Sequence, residues 1–130
     1  MLISLHVKNF AIINEVEVYL KNHLNNLTGE TGAGKSIIID SINCALGAKA
    51  SKDIIRNGAD YALVELVFET EDKAIHETMK MLDIPMEDNM IIISRKIMPN
   101  RSIYKLNGEN VTANVLSTIA GMLIDIHGQH

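Results

Sequence analysis

Gly29-Glu30-Thr31-Gly32-Ala33-Gly34-Lys35-Ser36 matches the pattern G-x-x-x-x-G-K-[ST] at every specified position. A short run, Leu24 to Thr28, leads into it, and a helical pattern over 35–46 leaves it. Strand, glycine-rich loop and helix form the setting in which this pattern wraps phosphate. Glycines at 29, 32 and 34 let the backbone take crowded conformations, so that successive N–H groups point inward. Those donors and the positive end of the following helix make a site for a di- or triphosphate. Lys35 reaches the β- and γ-phosphates as a point charge, and the Ser36 hydroxyl joins the shell of a Mg²⁺ ion. The competing reading, a glycine-rich turn before an ordinary helix, does not account for Lys35-Ser36 at the required spacing.

Outward from this loop, the 130 residues suit one domain with its own core. Hydrophobic content of 47% against 22% charged is that of a globular chain. Met1 to Phe10 alternates where a signal peptide would be basic and then continuously apolar, and no run approaches the ~20 residues of a membrane span. The single cysteine, Cys44, has no internal partner. It falls in the helix after the loop, where a small buried thiol is expected. These features point to the cytoplasm. A net charge of −4 argues against an autonomous nucleic-acid-binding domain, unless basic charge is local or lies on sequence outside this stretch.

Leu2 to Lys8 alternates, with Ile3, Leu5 and Val7 opposite Ser4, His6 and Lys8. Ile12 to Leu20 alternates again, with Ile12, Val16, Val18 and Leu20 opposite Glu15, Glu17 and Tyr19. Both read as half-buried antiparallel strands joined at Asn9-Phe10. The helix over 35–46 carries Ile38, Ile42, Ala45 and Leu46 on one stripe, and Gly47 supplies its stop. Residues 48–60 lack periodicity. Tyr61 to Thr70 is a strand. Asp72 to Leu82 is a helix with an Ile75, Met79, Leu82 stripe, ended by Asp83-Ile84-Pro85. Met90 to Ile97 and Ser102 to Leu106 form a hairpin about Pro99-Asn100-Arg101. Thr112 caps a last helix with Val115, Leu116, Ile119 and Met122 on its face. The expected architecture is one α/β unit in which antiparallel strands frame a phosphate-loop core, not a simple doubly wound sheet.

Binding a nucleotide is less than hydrolysing it. Hydrolysis calls for an apolar strand ending in Asp to help hold Mg²⁺, and a group to orient water. Only Met122-Leu123-Ile124-Asp125 qualifies, and Ile126 stands where a general base would. Asp40 ends a similar run but lies on the helix just after the loop. Leu106-Asn107-Gly108-Glu109 faintly resembles the L-S-G-G-E signature of ABC-type ATPases. It has one glycine too few, and a turn explains it better.

The stretch Leu27-Thr28-Gly29-Glu30-Thr31-Gly32-Ala33-Gly34-Lys35-Ser36-Ile37-Ile38-Ile39-Asp40 resembles the RecN family, an SMC-like branch of the ABC ATPases. Three further segments sit where that family has them. Lys8-Asn9-Phe10-Ala11-Ile12 resembles its opening strand connection. Ile55-Arg56-Asn57-Gly58, before a strand ending at Phe68, resembles its arginine-bearing loop. Asp125-Ile126-His127-Gly128-Gln129-His130 resembles its Q-loop. The resemblance runs from Met1 to His130.

It implies the fold of a P-loop NTPase: the N-terminal lobe of an ABC/SMC-type head over residues 1–130, α/β with mixed and antiparallel strands. It implies ATP and Mg²⁺ as cofactors. Gly29, Glu30, Thr31, Gly32, Ala33, Gly34, Lys35 and Ser36 would hold the nucleotide, and Ser36 and Gln129 the Mg²⁺. Gln129, as the Q-loop glutamine, also contacts water near the γ-phosphate, and Asp125 becomes the strand end before the Q-loop. The implied partners are the C-terminal half of the same head, a second head that sandwiches ATP, and DNA; none is a membrane. The implied process is repair of DNA double-strand breaks and recombination. The family's metal-binding Asp, catalytic Glu and signature motif lie downstream of a long coiled coil, so this stretch alone is expected to hydrolyse ATP poorly or not at all. One departure is Asn26, where the family has an apolar residue in the strand entering the loop.

Two readings of Arg56 stand: an arginine linking DNA to the ATPase, or a solvated loop residue. Asn9 and Phe10 lie near the nucleotide base or simply close a strand connection. The histidines lack metal-ligand spacing. Arg95 and Lys96 should point to opposite faces of a strand, and both are read as solvated. Two rival functions remain open: a nucleotide-binding interaction module that never hydrolyses, and a small self-sufficient P-loop NTPase using Asp125 for Mg²⁺.

Overall fold

The computed structural model describes residues 1–20 and 32–126, apart from the side chains of residues 32–35, 52, 125 and 126. Among the described residues six strands form one sheet. They are β1 (Leu2–Phe10), β2 (Ile13–Tyr19), β3 (Ala62–Glu69), β4 (Met90–Ile97), β5 (Ser102–Leu106) and β6 (Glu109–Val111). Their order is β2-β1-β3-β4-β5-β6, and every neighbouring pair is antiparallel. The helices are α1 (Gly32–Ala45), α2 (Lys73–Met81) and α3 (Ala113–Ile126), with a 3₁₀ turn at Lys52–Ile54. The strand expected over 24–28, and with it the parallel part of a mixed sheet, lies outside the described residues.

Period-two alternation sets the two faces of the sheet. Ala62, Val64, Leu66 and Phe68 of β3 are buried, as are Ile91, Ile93 and Ile97 of β4 and Leu5 and Val7 of β1. They join Cys44 and Ala45 of α1, Ile75 and Met79 of α2, and Leu116, Ile119 and Leu123 of α3 in one apolar cluster. Each fully buried aliphatic side chain contributes about 1.5–3 kcal/mol, so this cluster dominates the stability. The opposite face is polar: His6 of β1 bonds Glu15 of β2 at 2.7 Å, bracing the edge pair. That bond holds the Glu15 carboxyl below the usual carboxylate range.

The β1–β2 hairpin differs from the expected one. Its turn is Ala11-Ile12, and Phe10 still pairs with Ile13. Asn9 takes a left-handed φ of 55°, which interrupts the alternation and turns Phe10 into the core. Ile12, expected on the buried stripe of β2, instead stands at the hairpin tip with 77% of its surface exposed. At the other end of the sheet, Leu106-Asn107-Gly108-Glu109 is the β5–β6 turn, with φ of 49° at Asn107 and 86° at Gly108. Two consecutive positive φ values are the hairpin geometry that Asn-Gly favours, so this segment is a turn and not a signature motif.

Caps place the remaining helices. The Asp72 carboxylate accepts from the Ile75 N–H at 3.1 Å to start α2. The Thr112 hydroxyl accepts from the Val115 N–H at 3.2 Å to start α3, as its spacing predicts. α3 runs on through Met122, Leu123, Ile124 and Asp125 to Ile126. The apolar stretch before Asp125 is therefore helical, and Asp125 does not end a strand. A run as short as Met122-Leu123-Ile124 suits either element; here Leu116, Ile119, Ala120 and Leu123 share one buried helical face, and that packing decides it.

Candidate nucleotide-binding site

Residues 29–31 of the phosphate loop lie outside the described residues. Gly32, Ala33, Gly34 and Lys35 form the first turn of α1, which begins at Gly32 and not at Lys35 as the periodicity suggests. Glycine is a weak helix former, but tertiary packing rather than propensity holds most helices. Ser36 follows with its side chain exposed. The first turn carries no acidic residue. The leading amides of a helix have no intrahelical acceptor, and the helix dipole places about +0.5 charge there. A positive end with an exposed hydroxyl beside it suits a polyphosphate and its Mg²⁺.

α1 is held along its length by the sheet and at its far end by a cation. It lies against β1, β3 and β4. Ser41, Cys44 and Ala45 face inward and are buried, and the Ser41 hydroxyl donates back to the Ile38 carbonyl at 2.7 Å. The helix ends in a Schellman arrangement: the Ala48 N–H donates to the Asn43 carbonyl at 3.0 Å and the Gly47 N–H to the Cys44 carbonyl at 3.1 Å. Gly47 sits at φ +115°.

Onto this end comes Arg95 of β4. One guanidinium nitrogen donates to the Cys44 carbonyl at 2.8 Å and the Ala48 carbonyl at 2.6 Å. Its Nε donates to the Ser102 hydroxyl at 3.1 Å, and the group lies 4.9 Å from the Tyr104 ring centroid. Arg95 is 6% exposed, so the expectation of a solvated side chain is overturned. The strand phase carried the signal, because Ile91, Ile93, Arg95 and Ile97 fall on one face. Lys96 points the other way, with its ammonium 4.5 Å from the Tyr61 ring centroid. Burial pushes the Cys44 thiol above its ordinary value, with Arg95 pulling in the opposite sense.

Two segments far apart in sequence meet at the hairpin tip. The Arg56 N–H donates to the Asn9 carbonyl at 2.9 Å, the Ala11 N–H donates to the Ile54 carbonyl, and Phe10 and Ile55 form a β-bridge. The strand connection therefore clasps the arginine-bearing loop. Arg56 itself is exposed, at a cleft of about 550 Å³ that Ala11, Ile12, Asp53, Ile55 and Asn57 also line. Asn9 and Phe10 serve this clasp and the core, which fits their reading as a strand connection.

Gln129, His23, His127, His130 and Asn26 lie outside the described residues. His6 pairs with Glu15, and the His76 ring bonds the Thr70 carbonyl at 2.9 Å. Among the described residues no cluster of three or more His, Cys, Asp or Glu could hold a metal. None of the described helices is long and apolar enough to cross a membrane.

Residues 4–118 match the family model described as AAA domain. The chain belongs to the AAA domain family. Along its whole length it is 42% identical to the DNA repair protein RecN of Halalkalibacterium halodurans, and likewise 42% identical to that of Bacillus subtilis. It spans about 23% of the length of each of these relatives and corresponds to their N-terminal part.

Among solved structures, an SMC ATPase chain from work on ATP-driven dimerization and DNA-stimulated activation matches with a TM-score of 0.72 and 28% identity. The match covers 93% of this chain and 79% of that one. The Smc head domain of Pyrococcus furiosus, bound to the C-terminal domain of ScpA, matches at 0.69 and 26%, over 93% of this AAA-family chain and 33% of its own. The RecN and SMC resemblance drawn from the motifs is thereby borne out, and so is the fold.

Proposed function

We propose that this chain is the ATP–Mg²⁺-binding N-terminal lobe of a RecN-like ATPase head that takes part in DNA double-strand break repair and recombination. The observation that carries it is the phosphate-loop sequence leading into α1, in a chain that is similar to RecN throughout. Gly29 to Lys35 would hold the phosphates, Lys35 giving the positive charge. Ser36, with Gln129, would ligate the Mg²⁺, which draws charge from the phosphate oxygens. What this stretch supplies is binding and orientation. The groups that cut the phosphate would come from the remaining half of the head, and a second head would close over the nucleotide. Arg56 would be the arginine that links DNA to the ATPase, a role that its exposure at the hairpin tip supports. A cytoplasmic location agrees with such a role.

The helical setting of Asp125 removes the strand that a self-sufficient NTPase would need, so that rival loses its support. Calorimetry with ATP and Mg²⁺ tests the proposal: the chain binds, and Lys35→Ala abolishes binding. Turnover stays low until the remaining length of the head is supplied. Equal binding by wild type and Lys35→Ala, or no binding by either, would overturn the reading. Turnover by this chain alone that disappears in Asp125→Asn would restore the rival.

A further inference from the structure

Arg95 is a buried cation with an unusual set of partners. Among the described residues no carboxylate forms an ion pair with Arg95. Its acceptors are two carbonyls at the C-terminal end of α1 and a hydroxyl on β5. A guanidinium at that end is stabilised by the negative pole of the helix, and its planar fork fixes direction as well as charge.

We propose that Arg95 is a positioning residue for the nucleotide site, setting where α1 lies along the sheet and hence where its phosphate-facing end stands. The inference rests on the ATP-binding reading above. Apolar contact is non-directional, so the Ile38, Ile42 and Ala45 packing resists lifting α1 off the sheet more than sliding it along its axis. Hydrogen bonds of 2.6–2.8 Å from a side chain anchored to β4 and β5 fix the axial position. α1 has 14 residues and is a stiff rod about 21 Å long. A shift at its C-terminal end is therefore transmitted undiminished to Gly32, where displacement by about 1 Å is enough to spoil phosphate recognition. By the reciprocity of linked equilibria, nucleotide at one end must also tighten the other.

Cys44 reports on this, since it is the only cysteine of the chain and its own carbonyl is an Arg95 acceptor. In the 130-residue protein, ATP with Mg²⁺ slows labelling of Cys44 by a thiol reagent, and the with/without-ATP ratio is compared within each variant. That ratio is insensitive to changes in thiol acidity. Arg95→Met loses the ATP-dependent protection and weakens ATP binding by roughly tenfold or more. Arg95→Lys, which keeps the charge but not the fork, recovers part of both. Ser102→Ala, a milder cut that leaves the helix contacts, gives a smaller loss and decides the matter should Arg95→Met not fold. Unchanged affinity and unchanged Cys44 protection in Arg95→Lys and Ser102→Ala, with Lys35→Ala still abolishing binding, would overturn the role of Arg95 and leave the phosphate-loop reading intact. Absence of ATP binding by the wild type overturns both.

Discussion

Asp83 ends α2 in a conformation that glycine would adopt more readily. Its φ is 62°, its N–H donates to the Lys80 carbonyl at 3.0 Å, and the Ile84 N–H donates to the Met79 carbonyl at 3.0 Å. This is the same C-terminal arrangement that Gly47 gives α1, built here on a residue with a Cβ. Left-handed backbone costs an L-residue roughly 1–2 kcal/mol, less for Asp than for most. Asp83→Gly is therefore expected to stabilise the protein by about 0.5–1 kcal/mol, read as a raised midpoint in denaturant. A lowered midpoint would mean that the carboxylate contributes a contact worth more than the strain. At this scale the sequence was partly legible: Asp83-Ile84-Pro85 announces a helix end. Arg95, expected in solvent, is buried on the inward face that the phase of β4 gives it. Residue type outweighed pattern in that reading, and a polar residue is buried where acceptors wait for it.

α1 is the element on which the nucleotide site depends, and its two ends are governed differently. The N-terminal end offers amides to a ligand; the C-terminal end is closed by Gly47, Arg95 and the approach of α3. A Cβ on Gly47 would stand 3.2 Å from the Ser117 hydroxyl oxygen, on a backbone at φ +115°. Gly47→Ala is expected to cost about 1–2 kcal/mol, measured by equilibrium unfolding. A cost near zero would show that the α1–α3 junction relaxes freely, which would also weaken the view of α1 as a fixed rod. Caps and stops made element ends readable at Gly47, Asp72 and Thr112. The identity of the last segment was not readable, because Met122 to Ile126 suits a strand entering a Q-loop as well as a continuing helix. Burial of Ile119, Ala120 and Leu123 on one face of α3 resolves it.

At the scale of the molecule, a ligand that binds only the folded chain must stabilise all of it. ATP with Mg²⁺ at about 100 times its dissociation constant should add roughly 2.7 kcal/mol to unfolding, and Lys35→Ala should remove the gain. A melting temperature that is indifferent to ATP in the wild type would contradict the proposed site. The amino-acid sequence alone determined the phosphate loop, the strand and helix periods, the turn at Asn107-Gly108 and the family, since each rests on residues adjacent or regularly spaced in the chain. Tertiary structure alone decided three things. It joined Asn9-Phe10-Ala11 to Ile54-Ile55-Arg56, it put Arg95 on the end of α1, and it kept Asp125 in a helix. The first two are contacts between segments far apart in the chain, and the third rests on which residues of α3 pack inward, so packing and the satisfaction of buried backbone groups chose all three.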